Sequence, residues 1–159
     1  MIDIGARSAV AAIVRRVPIT AEQKASWLAR VPLFAGISDE SMVRVAEVAG
    51  EQDFPAGSFI VRQGQVGTGL YIILSGSARV VRGAEELAVL SDGDFFGELA
   101  VVDQQPRMAS VQAETDTSCL ALASWDLLAL LERDPALSLN LIKALAERVR
   151  SAGERHHRL

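Results

Sequence analysis

A chain of 159 residues, 50% hydrophobic and 23% charged, has room for one substantial core and is too apolar to stay disordered. A formal net charge of −4 argues against an extended basic surface for nucleic acid. The single cysteine, Cys119, excludes an internal disulfide, and its neighbours Leu120 and Leu122 make it a core residue rather than a reactive thiol.

From the N-terminus, Ile2, Ala6, Ala9, Val10, Ile13, Val14 and Val17 recur at helical spacing, and Pro18 ends that segment. Its apolar run, Ala9 to Val14, falls far short of the ~20 residues a membrane helix needs. It also carries no signal-peptide cleavage pattern, so a cytoplasmic location is expected. Thr20 reads as an N-cap, with Gln23 completing a capping box for a helix reaching about Arg30. After Val31-Pro32-Leu33-Phe34, Ser38 opens a helix over Asp39 to Val48, with Met42, Val45, Ala46 and Ala49 on one face and Gly50 closing it.

From Glu51 the period changes to that of strands. Short extended runs alternate with turn signals at Pro55-Ala56-Gly57, Gly64 to Gly69, Ser75-Gly76, Arg82-Gly83 and Ser91-Asp92-Gly93, the pattern of an antiparallel barrel or sandwich. Tyr71 to Leu74 is the strongest strand, and Ala78 to Val81 is expected to pair with it across Ser75-Gly76. Glu86 to Leu90, Phe95-Phe96, Met108 to Ala113 and Ser118 to Ala123 complete the set. Ser124 then caps a helix to about Arg133, and Pro135 opens another to about Ser151, stopped by Gly153. On this last helix Leu137, Leu141, Leu145 and Val149 share a face. The tail holds the only histidines, His156 and His157, to which no role is assigned.

The chemistry concentrates in one stretch, Phe96 to Ala113, reading FGELAVVDQQPRMASVQA. Gly97 permits a close turn, Glu98 is a hydroxyl acceptor, and Leu99 to Val102 can make one helical turn. Arg107, after Pro106, offers a planar fork suited to phosphate. An anion clamp and a hydroxyl acceptor on one loop point to a ribose phosphate. A Glu98–Arg107 salt bridge closing the loop without a ligand is the plainer alternative, but surface pairs contribute only about 0–1 kcal/mol. No catalytic triad, metal-ligand spacing or Walker loop is present, so the chain reads as a binder and not an enzyme, with no cofactor implied.

F-G-E-L-A followed by P-R-x-A-S, with Glu98 and Arg107 nine residues apart, closely resembles the phosphate-binding cassette of cyclic nucleotide-binding domains. That family includes kinase regulatory subunits, the bacterial catabolite activator protein and channel gates. The resemblance implies an α+β fold: an antiparallel, jelly-roll-like β-roll flanked by N-terminal helices and C-terminal lid helices. It divides the chain into a helical extension over 1–30 and a nucleotide-binding domain over 31–159, with the β-roll at about 51–123 and the C-terminal helices at about 124–151. It also implies that Glu98 takes the ribose 2′-hydroxyl and Arg107 the cyclic phosphate. Phe96, Gly97, Leu99, Ala100, Pro106, Met108, Ala109 and Ser110 would shape the cradle around them.

In the family a threonine directly after the arginine favours guanine; here Met108 stands there, so cAMP is favoured over cGMP, with pyrimidine cyclic nucleotides left open. Ile142, Leu145, Ala146 and Val149 are candidates for covering the base and equally for ordinary core. The resemblance implies a regulatory sensor that signals to a protein partner or effector through helix rearrangement. The gating domain of a channel or transporter is the alternative, and a transcription regulator is disfavoured because the chain ends at Leu159 without room for a DNA-binding domain. Direct nucleic-acid binding and a membrane segment are not expected; a homodimer is left open.

Overall fold

The computed structural model describes residues 18–157, so the helical segment expected over Ile2 to Val17 lies outside the described residues. The described residues form two compact units, one of 18–20 with 48–128 and one of 21–47 with 129–157.

The first unit is built on eight strands: β1 Gly50–Phe54, β2 Phe59–Val61, β3 Gly69–Ser75, β4 Ala78–Arg82, β5 Glu85–Leu90, β6 Phe95–Phe96, β7 Ser110–Ala113 and β8 Thr117–Ala123. They form two four-stranded antiparallel sheets, in the orders β1-β8-β3-β6 and β2-β7-β4-β5. Period-2 alternation turns one row of each sheet inward. Ile73, Phe96 and Cys119 of the first sheet thereby meet Ile60, Ala78, Val111 and Ala113 of the second in one interior cluster. The expected α+β class with an antiparallel β-roll is observed.

The pairing of β3 with β4 is not. The two strands belong to different sheets: β3 lies between β8 and β6, and β4 between β7 and β5. Gly76, at φ 103°, leans so closely on the next strand that a Cβ there would come within 2.5 Å of the Asp116 carbonyl oxygen. Ser77 N–H donates to Thr115 Oγ1 at 3.0 Å. Ser75-Gly76 is therefore a corner at which the chain changes sheets, and a short glycine turn between two strands looks the same in sequence either way.

The second unit contains α1 Ala21–Leu28, a 3-10 turn at Pro32–Phe34 and α2 Asp39–Val48. It also takes the C-terminal end of α4 Ser124–Arg133 and all of α5 Pro135–His157; the short α3 Glu98–Asp103 belongs to the strand unit. Helix α2 occupies the expected span and buries Val45, Ala46 and the following Ala49. Gly50 does not close it as a left-handed cap: it opens β1. Helix α5 likewise runs through Gly153 to His157 instead of stopping, an isolated helical glycine costing only about 1 kcal/mol. Of the expected stripe on α5, Leu137 and Leu141 are buried while Val149 is exposed.

Two long-range polar residues tie this unit together. Asp134 is the N-cap of α5: its Oδ1 accepts from Ala136 N–H at 3.1 Å and Leu137 N–H at 3.3 Å. Its Oδ2 accepts from Ser38 N–H at 3.0 Å, so one carboxylate serves the starts of both α2 and α5. Asn140 Nδ2 donates to the carbonyls of Leu33 at 3.0 Å and Ala35 at 2.7 Å, fastening the 3-10 turn to α5. Donors from Ser38, Ser41 and Leu137 outweigh burial and hold the Asp134 pKa below its ordinary value. That depressed value makes its stabilisation fully present above the unfolded carboxylate pKa of about 3.9, and lost as pH falls below it through the native pKa. Asp134→Ala should destabilise the protein by about 2–3 kcal/mol at neutral pH, with the gap to wild type narrowing below about pH 4 in denaturant titrations.

Candidate functional site

The expected binding stretch folds between β6 and β7. Phe96 ends β6 with its side chain buried; Gly97 then turns at φ 93°, and Glu98 starts α3. Helix α3 ends at Asp103, whose Oδ1 accepts from Gln105 N–H at 3.0 Å. Gln104 sits there at φ 56°, the one non-glycine residue with positive φ among the described residues. This tight reversal returns the chain to Pro106, which bridges Val66, and then to Arg107.

Arg107 is fixed at both ends. Its N–H donates to the Gln65 carbonyl and its carbonyl accepts from Gly64 N–H, each at 2.8 Å. At the side-chain end, Nη2 donates to the Gly69 carbonyl at 2.9 Å. The guanidinium lies flat against glycines from two loops: a Cβ at either Gly67 or Gly97 would overlap it. Glycine at these positions leaves free the space that the cation occupies.

Two ionisable groups are buried here, Glu98 at 1% exposure and Arg107 at 9%. Burial lowers the Arg107 pKa, while Tyr71 and Glu98 nearby act in the opposite direction, and a guanidinium remains charged regardless. Its Nη1 is buried without a hydrogen-bond partner, and Oε2 of Glu98 retains unspent acceptor capacity. An unsatisfied buried donor costs about 1–3 kcal/mol, more when charged. Arg107 Nη1 is therefore a buried charged donor that none of the described residues satisfies.

The remaining predicted residues divide clearly. Leu99, Pro106 and Met108 stand exposed at the rim, Met108 at 65%, and Ala109 is half-buried. Ala100 lies on α3. Ser110 opens β7 and its Oγ already accepts from Gln63 N–H at 2.8 Å, which still leaves its hydroxyl hydrogen to give. Ile142, Leu145, Ala146 and Val149 lie on α5 in the other unit, with Ile142 and Val149 exposed. The geometry adds residues missing from the sequence-based set: the Gly69 carbonyl that holds the guanidinium, and Gly67, whose only signal was its place in a glycine-rich turn.

A family model described as "Cyclic nucleotide-binding domain" matches residues 51–134. The chain is 39% identical over 126 residues to a cyclic AMP receptor protein of Thermus thermophilus, covering 76% of this chain and 58% of that one. A cyclic nucleotide-gated potassium channel of Rhizobium etli is 31% identical over 121 residues, covering 76% of this chain and 34% of the channel. The crystal structure of the regulatory domain of Toxoplasma gondii PKA with cAMP superposes with a TM-score of 0.72 at 29% identity, over 80% of this chain and 50% of that one. The chain therefore spans less than two thirds of the length of each of these proteins.

Gly67→Ala tests the packing directly. Gly67 does not have positive φ, and the atoms its Cβ meets belong to the Arg107 side chain and not to the backbone, so the substitution should cost little beyond the bond from Nη2 to the Gly69 carbonyl, about 1 kcal/mol in thermal or denaturant unfolding. The displaced guanidinium should weaken binding of a cyclic nucleotide by about tenfold or more in calorimetry.

Proposed function

Because the chain belongs to the cyclic nucleotide-binding domain family, we propose that it is a cyclic-nucleotide sensor that prefers cAMP and reports occupancy to a protein partner through its helices. In this reading Arg107 pairs with the cyclic phosphate and Glu98 accepts the ribose 2′-hydroxyl. Backbone N–H groups around Gly97, Leu99, Ala100 and Met108 or Ala109 complete the cradle. The observation that carries it is the buried Arg107 guanidinium with Nη1 unpartnered, a charge-assisted donor suited to a phosphate oxygen. The preference for cAMP rests on Met108, which follows Arg107 in the chain and whose thioether has no hydrogen to donate and accepts only weakly, where a hydroxyl could reach the guanine amino group.

The relatives' names describe regulators and a channel, and the channel's similarity across 76% of this chain keeps a gating role as the second reading. Among the described residues no helix is long and apolar enough to cross a membrane, so a gating role would place the spanning part elsewhere. Among the same residues no group of three His, Cys, Asp or Glu side chains is placed to hold a metal.

Arg107→Ala should weaken cAMP binding by about 2–4 kcal/mol in calorimetric titration, and Arg107→Lys should also lose affinity because a point charge cannot reproduce the fork. Full cAMP affinity in Arg107→Ala would remove the basis of the reading.

Signalling is tested separately, by hydrogen exchange with and without cAMP. Protection should rise over 96–110 and 137–150, and change within 21–34, since a ligand shifts a conformational equilibrium only by its differential affinity for the two states. A rise confined to 96–110 would make the protein a nucleotide buffer and not a switch.

A further inference from the structure

Phe54, Val61, Tyr71, Val80 and Leu90 pack against the interior cluster yet are only partly buried. Of these five only Tyr71 carries a polar group. Its ring is held firmly. It lies opposite Phe96 across the β3–β6 ladder, stacks on that ring at 5.4 Å and 11°, and meets Phe54 edge-on at 6.2 Å and 72°. Its strand neighbours Leu70 and Ile72 are fully buried on the opposite face.

Tyr71 is also tied to both halves of the site. Two residues before it on β3 is Gly69, whose carbonyl holds Arg107 Nη2. Phe96, on which its ring stacks, leads directly into Gly97 and Glu98. Gly69 holds the guanidinium through its carbonyl and Gly97 packs against Nη1, so the backbone on either side of the Tyr71 ring touches Arg107. Yet among the described residues the hydroxyl makes no hydrogen bond. Arginine has donors only, so a phenol beside it turns its lone pairs toward the cation and its hydrogen away. That hydrogen is available to an anion resting on Arg107.

We propose that Tyr71 is a further ligand-positioning residue, donating a hydrogen bond from its hydroxyl to a non-bridging oxygen of the phosphate that Arg107 holds. This rests on the cyclic-nucleotide reading above and adds a geometric demand to it. The phosphate has two non-bridging oxygens, and a fixed donor on one side makes them inequivalent.

The test is Tyr71→Phe, which keeps the ring and its stacking, titrated by calorimetry with cAMP and with the Sp and Rp phosphorothioate analogues. Affinity for cAMP should fall about five- to tenfold, the Sp/Rp preference of the wild type should shrink, and the thermal midpoint should hold. Unchanged affinity, or an equal loss for all three ligands with the Sp/Rp ratio intact, overturns the proposal; the second result would mark Tyr71 as purely structural. Absence of binding by the wild-type protein would instead overturn the cyclic-nucleotide reading itself. If Tyr71→Phe proves unstable, the chain's single tyrosine allows a second route. Global 3-fluorotyrosine labelling reports on Tyr71 alone, and its fluorine resonance should shift on addition of cAMP; an unmoved resonance in a saturated sample also overturns the proposal.

Discussion

The site depends on one buried cation. Arg107 reaches from the loop before β7 to the Gly69 carbonyl at the start of β3, and the surrounding chain is arranged to let it. Gly67 and Gly97 give up side chains so that the guanidinium can lie between them. The Val66–Pro106 bridge and the paired bonds to Gly64 and Gln65 hold its backbone in place. Burying a cation is unfavourable unless its donors are used. Here one terminal nitrogen is spent on the fold and the other is buried without a partner, so in the proposed reading the same residue would position the cassette and recognise its occupant.

This arrangement links the cassette to the sheet beneath it. Tyr71 and Phe96 stack across neighbouring strands, and Gly97 follows Phe96 directly, so the turn that presents Glu98 starts from a rigid aromatic platform. From there to Arg107 the chain runs through a single short helix and a reversal at Gln104. Acceptor and cation are therefore placed by different supports, one by a β-strand and the other by a carbonyl bond to a second strand. Anchoring of this kind lets a loop carry specific chemistry without being built into regular structure itself.

Much of this was legible in the sequence because the determinants are local. Gly97-Glu98 and Pro106-Arg107 stand within one short stretch, and the turn residues, the start of α2 and the start of α5 each follow from neighbours a few positions away. What escaped is long-range. The pairing of β3 with β8 and β6 depends on where the chain goes after Gly76, and a glycine corner resembles a hairpin turn until the strand it leans on is known. Asp134 and Asn140 are ordinary polar residues in the sequence; their partners lie 96 and more than 100 positions away. Gly153 shows the reverse error, a local stop signal without the capping partners that end a helix.

The proposed role of Arg107 requires that its open Nη1 be filled by the phosphate of a bound cyclic nucleotide. Nitrogen-edited NMR of the arginine side chains during a cAMP titration observes that group directly. The Arg107 guanidinium resonances should shift and sharpen on saturation, as both terminal nitrogens become held and rotation slows, and remain largely unmoved with unphosphorylated adenosine. Saturation by cAMP with the Arg107 signals unchanged, or no response to any cyclic nucleotide, would contradict it.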